Sequence, residues 1–371
     1  MNIAIDAVAG WTGGGASRVR ELATTMPALR PQNRYLLAVG RKNSGTAALA
    51  SSRMDVVSPP RMVVHGPTRV AWEYAWFPLV AKGFRARAVL GPFNLIPEVW
   101  PGRRPFLGVI VSNLAPFSAE VRRSFSGMTR ARLETLNYLT RRAVRAADRV
   151  FLLSKQAFDL IPEPSLVSKA ELIAMAPPTV DVLEAYDGPA ESDRPYVLVV
   201  GDLYRYKGVE QLIRAQALIP RSERPLALIC GRPSDGTYVR ALRGEVRERG
   251  LAGDVRFLGP ADHAHVLRLM AGSVATVIPS RFENGGRVPL EAMATGSPVI
   301  AVSAPWARET CGAAAAYFEP DQVDRLADAI RQVMRDGSAR DHLVAAGRSH
   351  LASMLTTDAS ERILLAMERA G

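Results

Sequence analysis

Short apolar runs alternate with helical patterns along the whole chain. Asn2 to Ala7 reads as a strand, and a glycine-rich turn at Gly13, Gly14 and Gly15 follows it. A helix is predicted from about Ser17 to Leu29. Arg34 to Val39, Phe106 to Val111 and Arg149 to Leu153 predict further strands, with a long basic helix over about Thr129 to Ala146. Strand-length apolar runs separated by helices imply parallel sheets covered on both faces.

The pattern lapses from Val180 to Pro195, which is rich in Pro, Gly and acid and has no periodicity. Such a stretch reads as a linker. A second series starts directly after it. Tyr196–Val200, Leu226–Cys230, Val255–Leu258, Val274–Pro279 and Pro298–Val302 predict strands, and Val209–Leu218 a helix with Leu212 and Ile213 on its inner face. The fold class is therefore α/β: two tandem Rossmann-like domains, expected to face each other across a ligand cleft. The expected boundaries are 1–180 for the first domain, 181–195 for the linker and 196–355 for the second domain.

Composition agrees with two domains. A chain of 371 residues with 48 % apolar and 22 % charged residues can bury two cores. No run of about 18 apolar residues predicts a membrane-spanning helix. The opening Met1-Asn2-Ile3-Ala4-Ile5-Asp6 reads as a strand rather than a signal peptide. Two scattered cysteines, Cys230 and Cys311, fit a reducing cytoplasm and form no metal motif. The formal net charge is +11, and it is carried almost wholly by arginine. Such a balance suits a partner bearing phosphate: a nucleotide, an anionic membrane or a nucleic acid. Arginine-rich genome composition produces the same balance, so charge does not choose among these.

The most specific signal is Glu283-Asn284-Gly285-Gly286-Arg287-Val288-Pro289-Leu290-Glu291. Pro289 fits the first turn of a helix and Gly296 its end. Gly285 and Gly286, with Arg287 after them, leave backbone N–H groups at a helix N-terminus, which is a ready anion site. Glu283 would sit in the loop and Glu291 on the helix, where each can accept hydrogen bonds from sugar or ribose hydroxyls. A capped helix with a solvated glutamate at each end fits the same spacing. Lys207 follows a strand and precedes a helix, a place where a cation is disfavoured unless an anion joins it. The glycine run Gly13 to Gly15 permits close backbone approach to a phosphate or sugar, or simply a tight strand–helix connection. His65, His263, His265, His342 and His350 show no metal-ligand spacing, and no D-x-D occurs, so no metal and no cofactor are expected. His263 and His265 precede a helix and read as surface or capping residues.

Ser280 to Ala301 closely resembles the E-x7-E region of the family-4 retaining glycosyltransferases of the GT-B fold. Val199 to Gly208 looks like their diphosphate-binding loop, Val255 to Gly259 like their base-binding strand end, and Ile3 to Ala7 with Gly13 to Gly15 like their first strand and glycine loop. The resemblance is specific over about residues 196 to 330. It implies hexosyl transfer with retention of configuration, from a nucleotide-diphosphate sugar to a glycan or lipid-linked acceptor. It places the donor in the C-terminal domain and the acceptor in the N-terminal one. It implies that Glu283 orients sugar hydroxyls, Glu291 holds the ribose, and Lys207 neutralises the leaving diphosphate. It also implies that a last helix within 356–371 packs back on the first domain. Relatives often have arginine where this chain has Asp202, and Arg205 is the expected substitute. Many relatives carry a His-Asp pair where this chain has Ser112 and Asn113. That departure keeps a second reading open: a non-catalytic subunit that binds nucleotide sugar.

The helix around Thr129 to Arg149 holds Arg130, Arg132, Arg141, Arg142, Arg145 and Arg149, with Arg122 and Arg123 upstream and Phe117, Phe125 and Met128 nearby. This stripe reads either as a dock on anionic lipid, placing a cytoplasmic enzyme on the inner membrane face for cell-envelope polysaccharide synthesis, or as a solvated helix face. A nucleic-acid partner is not expected, because no recognised module or aromatic–basic interleaving is present. A dehydrogenase would need the G-x-G-x-x-G fingerprint and its acidic partner.

Overall fold

The structure is a computed structural model, and it describes residues 1–9, 13–40, 49–60, 67–173, 192–354 and 359–369. The chain divides into two compact units, Met1–Met175 with Thr357–Gly371, and Ala176–Thr356. Of the linker expected at 181–195, residues 181–191 lie outside the described residues, and 192–195 lead into the second sheet.

The first unit runs β1 (Asn2–Ala7), α1 (Gly13–Leu29), β2 (Arg34–Val39), β3 (Met54–Val57), α2 (Pro67–Ala71), a π-helical turn (Trp72–Trp76), α3 (Phe77–Gly83) and β4 (Ala88–Gly91). It continues with β5 (Phe106–Val111), α4 (Ala119–Arg123), α5 (Gly127–Ala146), β6 (Arg149–Leu152), α6 (Gln156–Leu160), α7 (Leu166–Lys169) and β7 (Ala170–Leu172). Among the described residues these strands make one seven-stranded sheet in the order β3-β2-β1-β4-β5-β6-β7, parallel at every pairing. Ile3, Ile5, Ala88, Val89, Leu90, Val109 and Ile110 are fully buried, as central strands covered on both faces require.

The second unit runs β8 (Tyr196–Val200), α8 (Val209–Leu218), β9 (Leu226–Cys230), α9 (Gly236–Glu248), β10 (Val255–Gly259), α10 (His263–Ala271) and β11 (Ala275–Ile278). It then runs α11 (Arg287–Ala294), β12 (Val299–Val302), α12 (Pro305–Cys311), β13 (Ala315–Phe318), α13 (Val323–Arg335) and α14 (Gly337–Met354). Its described strands form a six-stranded sheet, β10-β9-β8-β11-β12-β13, again parallel throughout. Each unit is thus a Rossmann-like domain, as the alternation of patterns predicts.

The last described helix, α15 (Ala359–Glu368), belongs to the first unit and packs on α1 and β5. Ile363, Leu364 and Met367 are fully buried there, and Glu368 accepts hydrogen bonds from Arg30 and Asn33. Among the described residues no helix is long and apolar enough to cross a membrane.

Candidate functional site

In the second sheet the chain lays β9 and β10 on one side of β8, then crosses to β11 on the other. Loops leaving β8 and β11 therefore part in opposite directions, and the crevice at their carboxyl ends is where such sheets bind ligands. Lys207 is in the first of these loops and Glu283 in the second.

Lys207 ends a short 3-10 turn, Arg205–Lys207. Tyr204 and Tyr206 stack with centroids 5.6 Å apart, and Tyr206 meets Phe282 edge-on at 6.5 Å. The backbone N–H of Arg281 donates to the Tyr206 carbonyl at 3.0 Å, tying the two loops together. On this frame the Lys207 ammonium donates a hydrogen bond to Glu283 Oε1. The two side chains are 18 % and 21 % exposed, so the pair is reachable but partly desolvated. Burial raises the pKa of the Tyr206 hydroxyl, and the charge of Glu283 adds to the shift.

Gly285 and Gly286 carry φ of 73° and 34°, which side-chain-bearing residues adopt only with strain. A Cβ on Gly286 would also stand 2.9 Å from the Trp306 ring, whose Nε1 donates to the Ser280 carbonyl at 3.0 Å. Trp306 thus braces the loop from behind. Gly286 is the N-cap of α11 and has no side chain with which to cap it. An anion at this helix start would meet backbone N–H groups and the positive end of the helix dipole.

Glu291 is buried on α11, one turn beyond Arg287. Its Oε1 receives Arg287 Nε at 3.1 Å and lies 2.9 Å from His263 Nε2. Asp262 caps α10 by accepting from His265 N at 2.8 Å, which sets His263 at the first helical position. Gly259 ends β10 just before this turn. His263, read from sequence as a surface or capping residue, therefore belongs to the glutamate cluster. The only sequence signal was its place after the β10 glycine.

Arg205 opens the same 3-10 turn that Lys207 ends, and its guanidinium lies over the ring of Tyr238 on α9, 5.6 Å from the centroid. The cation at Asp202 is instead Arg232, whose Nε donates to Oδ1 at 2.9 Å. Arg232 follows Gly231, where a Cβ would fall 1.9 Å from the Gly201 carbonyl oxygen. Only glycine lets the ends of β8 and β9 approach this closely.

The first unit has its own switch point, between β1 and β4. Gly13, Gly14 and Gly15, expected as a turn before the helix, form the first turn of α1 itself. Asp6 near the end of β1 and Glu73 on the π-helical turn are both buried. Arg69 Nε is 3.3 Å from Glu73 Oε1, while Asp6 Oδ1 and Glu73 Oε2 have no hydrogen-bond partner among the described residues. Burial pushes the Glu73 carboxyl up to about 7 against the opposing charge of Arg69. Asp6 is raised by burial and then by Glu73. A carboxylate near the end of a mostly apolar strand is the available signal for Asp6; the π-helical turn offers none.

Ser112 and Asn113 sit just after β5, and backbone groups engage both side chains. Ser112 Oγ donates to the Pro92 carbonyl, and Asn113 Oδ1 accepts from Ala115 N at 3.0 Å. Asn94, held at φ 69°, clamps the pair: its Oδ1 accepts from the backbone N–H groups of Ser112 at 3.0 Å and Asn113 at 2.8 Å. The basic stripe is also partly neutralised. Arg122 pairs with Glu134, Arg142 with Glu98 and Arg145 with Glu163. Phe117 is buried, and Arg149 opens β6 instead of extending α5. Arg130, Arg132 and Met128 remain exposed.

Comparison with known proteins adds to this geometry. The family model of the glycosyl transferases group 1 matches residues 186–350. Glycogen synthase of Mycobacterium tuberculosis is 31 % identical over 188 residues, 49 % of this chain and 44 % of its own. Alpha-D-kanosaminyltransferase of Streptomyces kanamyceticus is 26 % identical over 215 residues, 55 % of each chain. The chain thus spans about half the length of the curated relatives it matches. Sucrose-phosphate synthase from Thermosynechococcus elongatus superposes with a TM-score of 0.73 at 22 % identity, over 95 % of this chain and 94 % of its own. HepE of Anabaena, solved with UDP and glucose, gives 0.72 at 19 % identity over the full length of both. These likenesses show the fold. Residues 186–350, which hold the Lys207–Glu283 and Glu291–Arg287–His263 clusters, match the family model of the glycosyl transferases group 1.

Proposed function

We propose that the chain is a retaining, metal-independent glycosyltransferase that moves a hexosyl group from a nucleotide-diphosphate sugar to a glycan or lipid-linked acceptor. The observation that carries the reading is the Lys207–Glu283 pair at the switch point of the second sheet. A leaving nucleoside diphosphate gains negative charge as the glycosidic bond breaks, and a fixed ammonium with helix-start amides stabilises that charge. Lys207 would exchange Glu283 for a phosphate oxygen as donor binds, freeing the carboxylate to orient sugar hydroxyls. Glu291, held by Arg287 and His263, would take the ribose. The leaving phosphate would accept the acceptor's proton on the same face. HepE, of the same fold, has been solved with UDP-glucose, and the chain is 30 % identical over 156 residues to the O-antigen chain mannosyltransferase B of Escherichia coli. By this reading the first unit takes the acceptor in cell-envelope synthesis. Arg130, Arg132 and Met128 would dock it on the inner membrane face.

A thermal-shift panel of UDP-, GDP- and dTDP-sugars tests the donor assignment, because a ligand of the folded state raises its melting temperature. One nucleotide class should stabilise the wild type and lose most of that effect in Lys207→Ala. No shift with any nucleotide sugar would overturn it. One observation favours a second reading, a binding subunit without transfer: Ser112 Oγ is committed to the Pro92 carbonyl and Asn113 Oδ1 to the Ala115 N–H. Slow donor hydrolysis without acceptor, lost in Glu283→Gln, separates the enzyme from the binding subunit.

A further inference from the structure

At the amino-terminal ends of β5 and β6 the first unit holds a cavity of about 680 Å³. It lies roughly 20 Å along β5 from Ser112, just beyond that strand's carboxyl end, at about 3.3 Å per residue. Its charged lining is Arg104, Arg149, Arg362 and Arg369, with Asp148 and Glu171. Two of the arginines are spoken for. Arg104 Nη1 reaches both oxygens of Asp148 at 3.0 Å, and Asp148 Oδ2 also accepts from Leu107 N at 2.8 Å. Arg362 Nε donates to Glu171 Oε1 at 2.7 Å and its Nη1 to the Leu172 carbonyl at 2.8 Å. These bonds set a rigid frame. Arg149 at the start of β6 and Arg369 beyond α15 line the same cavity, and neither side chain makes a hydrogen bond or ion pair with a described residue. Two positive charges are left unmatched, with Phe106 and Leu365 supplying an apolar wall.

We propose that this cavity binds the phosphate monoester of a small sugar, at a site separate from the donor machinery. A phosphate monoester carries a charge of about −1.5 to −2 near neutral pH, which matches the two open guanidiniums. Guanidinium forks bind phosphate oxygens in pairs. The volume lies within the range of small-molecule sites, roughly 300–1,000 Å³, and leaves room for a sugar ring beyond the phosphate. The ligand would bridge β6 to the end of α15 and so fasten that helix to the sheet.

Calorimetric titration of the full chain tests this, with glucose 6-phosphate, glucose, inorganic phosphate and phosphatidate vesicles as separate probes. Glucose 6-phosphate should bind more tightly than inorganic phosphate, and glucose should not bind. The double variant Arg149→Gln/Arg369→Gln should weaken the sugar phosphate at least tenfold with an unchanged melting temperature, because both side chains are exposed. Lys207→Ala should bind it as the wild type does. Equal affinity in the double variant, loss in Lys207→Ala, or binding to phosphatidate vesicles but not to glucose 6-phosphate would each overturn the proposal.

Discussion

The Lys207 ammonium hydrogen-bonds Glu283 Oε1 across 76 residues of sequence, joining the loop after β8 to the loop after β11. Each side chain holds the other in place while the site is empty. Lys207→Ala is therefore expected to lower turnover on the order of 100-fold or more, the scale of losing an electrostatic donor to developing charge. The pair is partly exposed, so the fold should survive. Steady-state kinetics beside a thermal melt measure both, and near-normal turnover on the true donor would sink the assignment.

Glu283 and Glu291 should fail differently. In the proposed mechanism Glu283 stands beside the transferred sugar, where charge changes during reaction, so Glu283→Gln should lower kcat while the free nucleoside diphosphate still binds. Glu291→Gln alters a buried carboxylate whose Oε1 gathers Arg287 and His263. A ribose contact is the same in ground and transition states, so KM should rise more than kcat falls. Donor kinetics and calorimetry on both variants decide it. The same modest binding defect in each, with kcat untouched, contradicts the division of roles.

Transfer should persist in excess chelator after dialysis. The chain lacks a D-x-D, and Lys207 with the α11 amides supplies positive potential where the diphosphate would lie. Product formation is the readout. Complete loss of activity, restored by magnesium or manganese, would refute the cation-and-dipole account.

Glu73 predicts a pH dependence of stability. Its carboxyl is pushed from the ordinary 4.5 to about 7, so between those values the folded chain keeps a proton that the unfolded chain has released. Stability contributed by the neutral carboxyl is complete below about 4.5 and is lost as pH rises through about 7. Glu73→Gln should remove this slope, with a gain of about 1–3 kcal/mol over the wild type above the window. Denaturant melts on both sides of the window measure it. Parallel profiles for the two proteins would exclude the effect.

Gly231→Ala should cost roughly 1–3 kcal/mol, the scale of overpacking, because its Cβ would collide with the Gly201 carbonyl. Chemical denaturation gives the stability. Nucleotide affinity should also fall, since Gly201 begins the loop that carries Lys207. A stable variant with unchanged affinity would show that this approach is not needed.

The two parallel sheets are legible in the sequence because buried strands and amphipathic helices write different periods into the chain. Glu283, Glu291 and Lys207 are legible as residue types at strand-to-helix junctions. Their partners are not. Arg232 meets Asp202 because β9 lies beside β8, and His263 meets Glu291 because α10 packs on α11. Such pairings depend on strand order, which local patterns do not encode. β3 and β7 escaped the reading because they are short and only partly buried. Short β4 has the opposite difficulty: an apolar run of four residues has too few positions to show a period. Asn94 needed knowledge of which loop would face it.

The docking of α15 on α1 and β5 also fixes an order of events during synthesis. The ribosome delivers the first sheet early, but Ile363, Leu364 and Met367, which cover part of it, emerge only after the whole of the second unit. The second unit is contiguous and can close as soon as it leaves the exit tunnel. The first must wait with an apolar strip on α1 and β5 uncovered, although N-terminal domains usually fold first. A nascent chain stalled before residue 359 therefore presents that strip to chaperones or to other chains. The hazard in making this protein lies at its amino-terminal half, and α15 is what ends it.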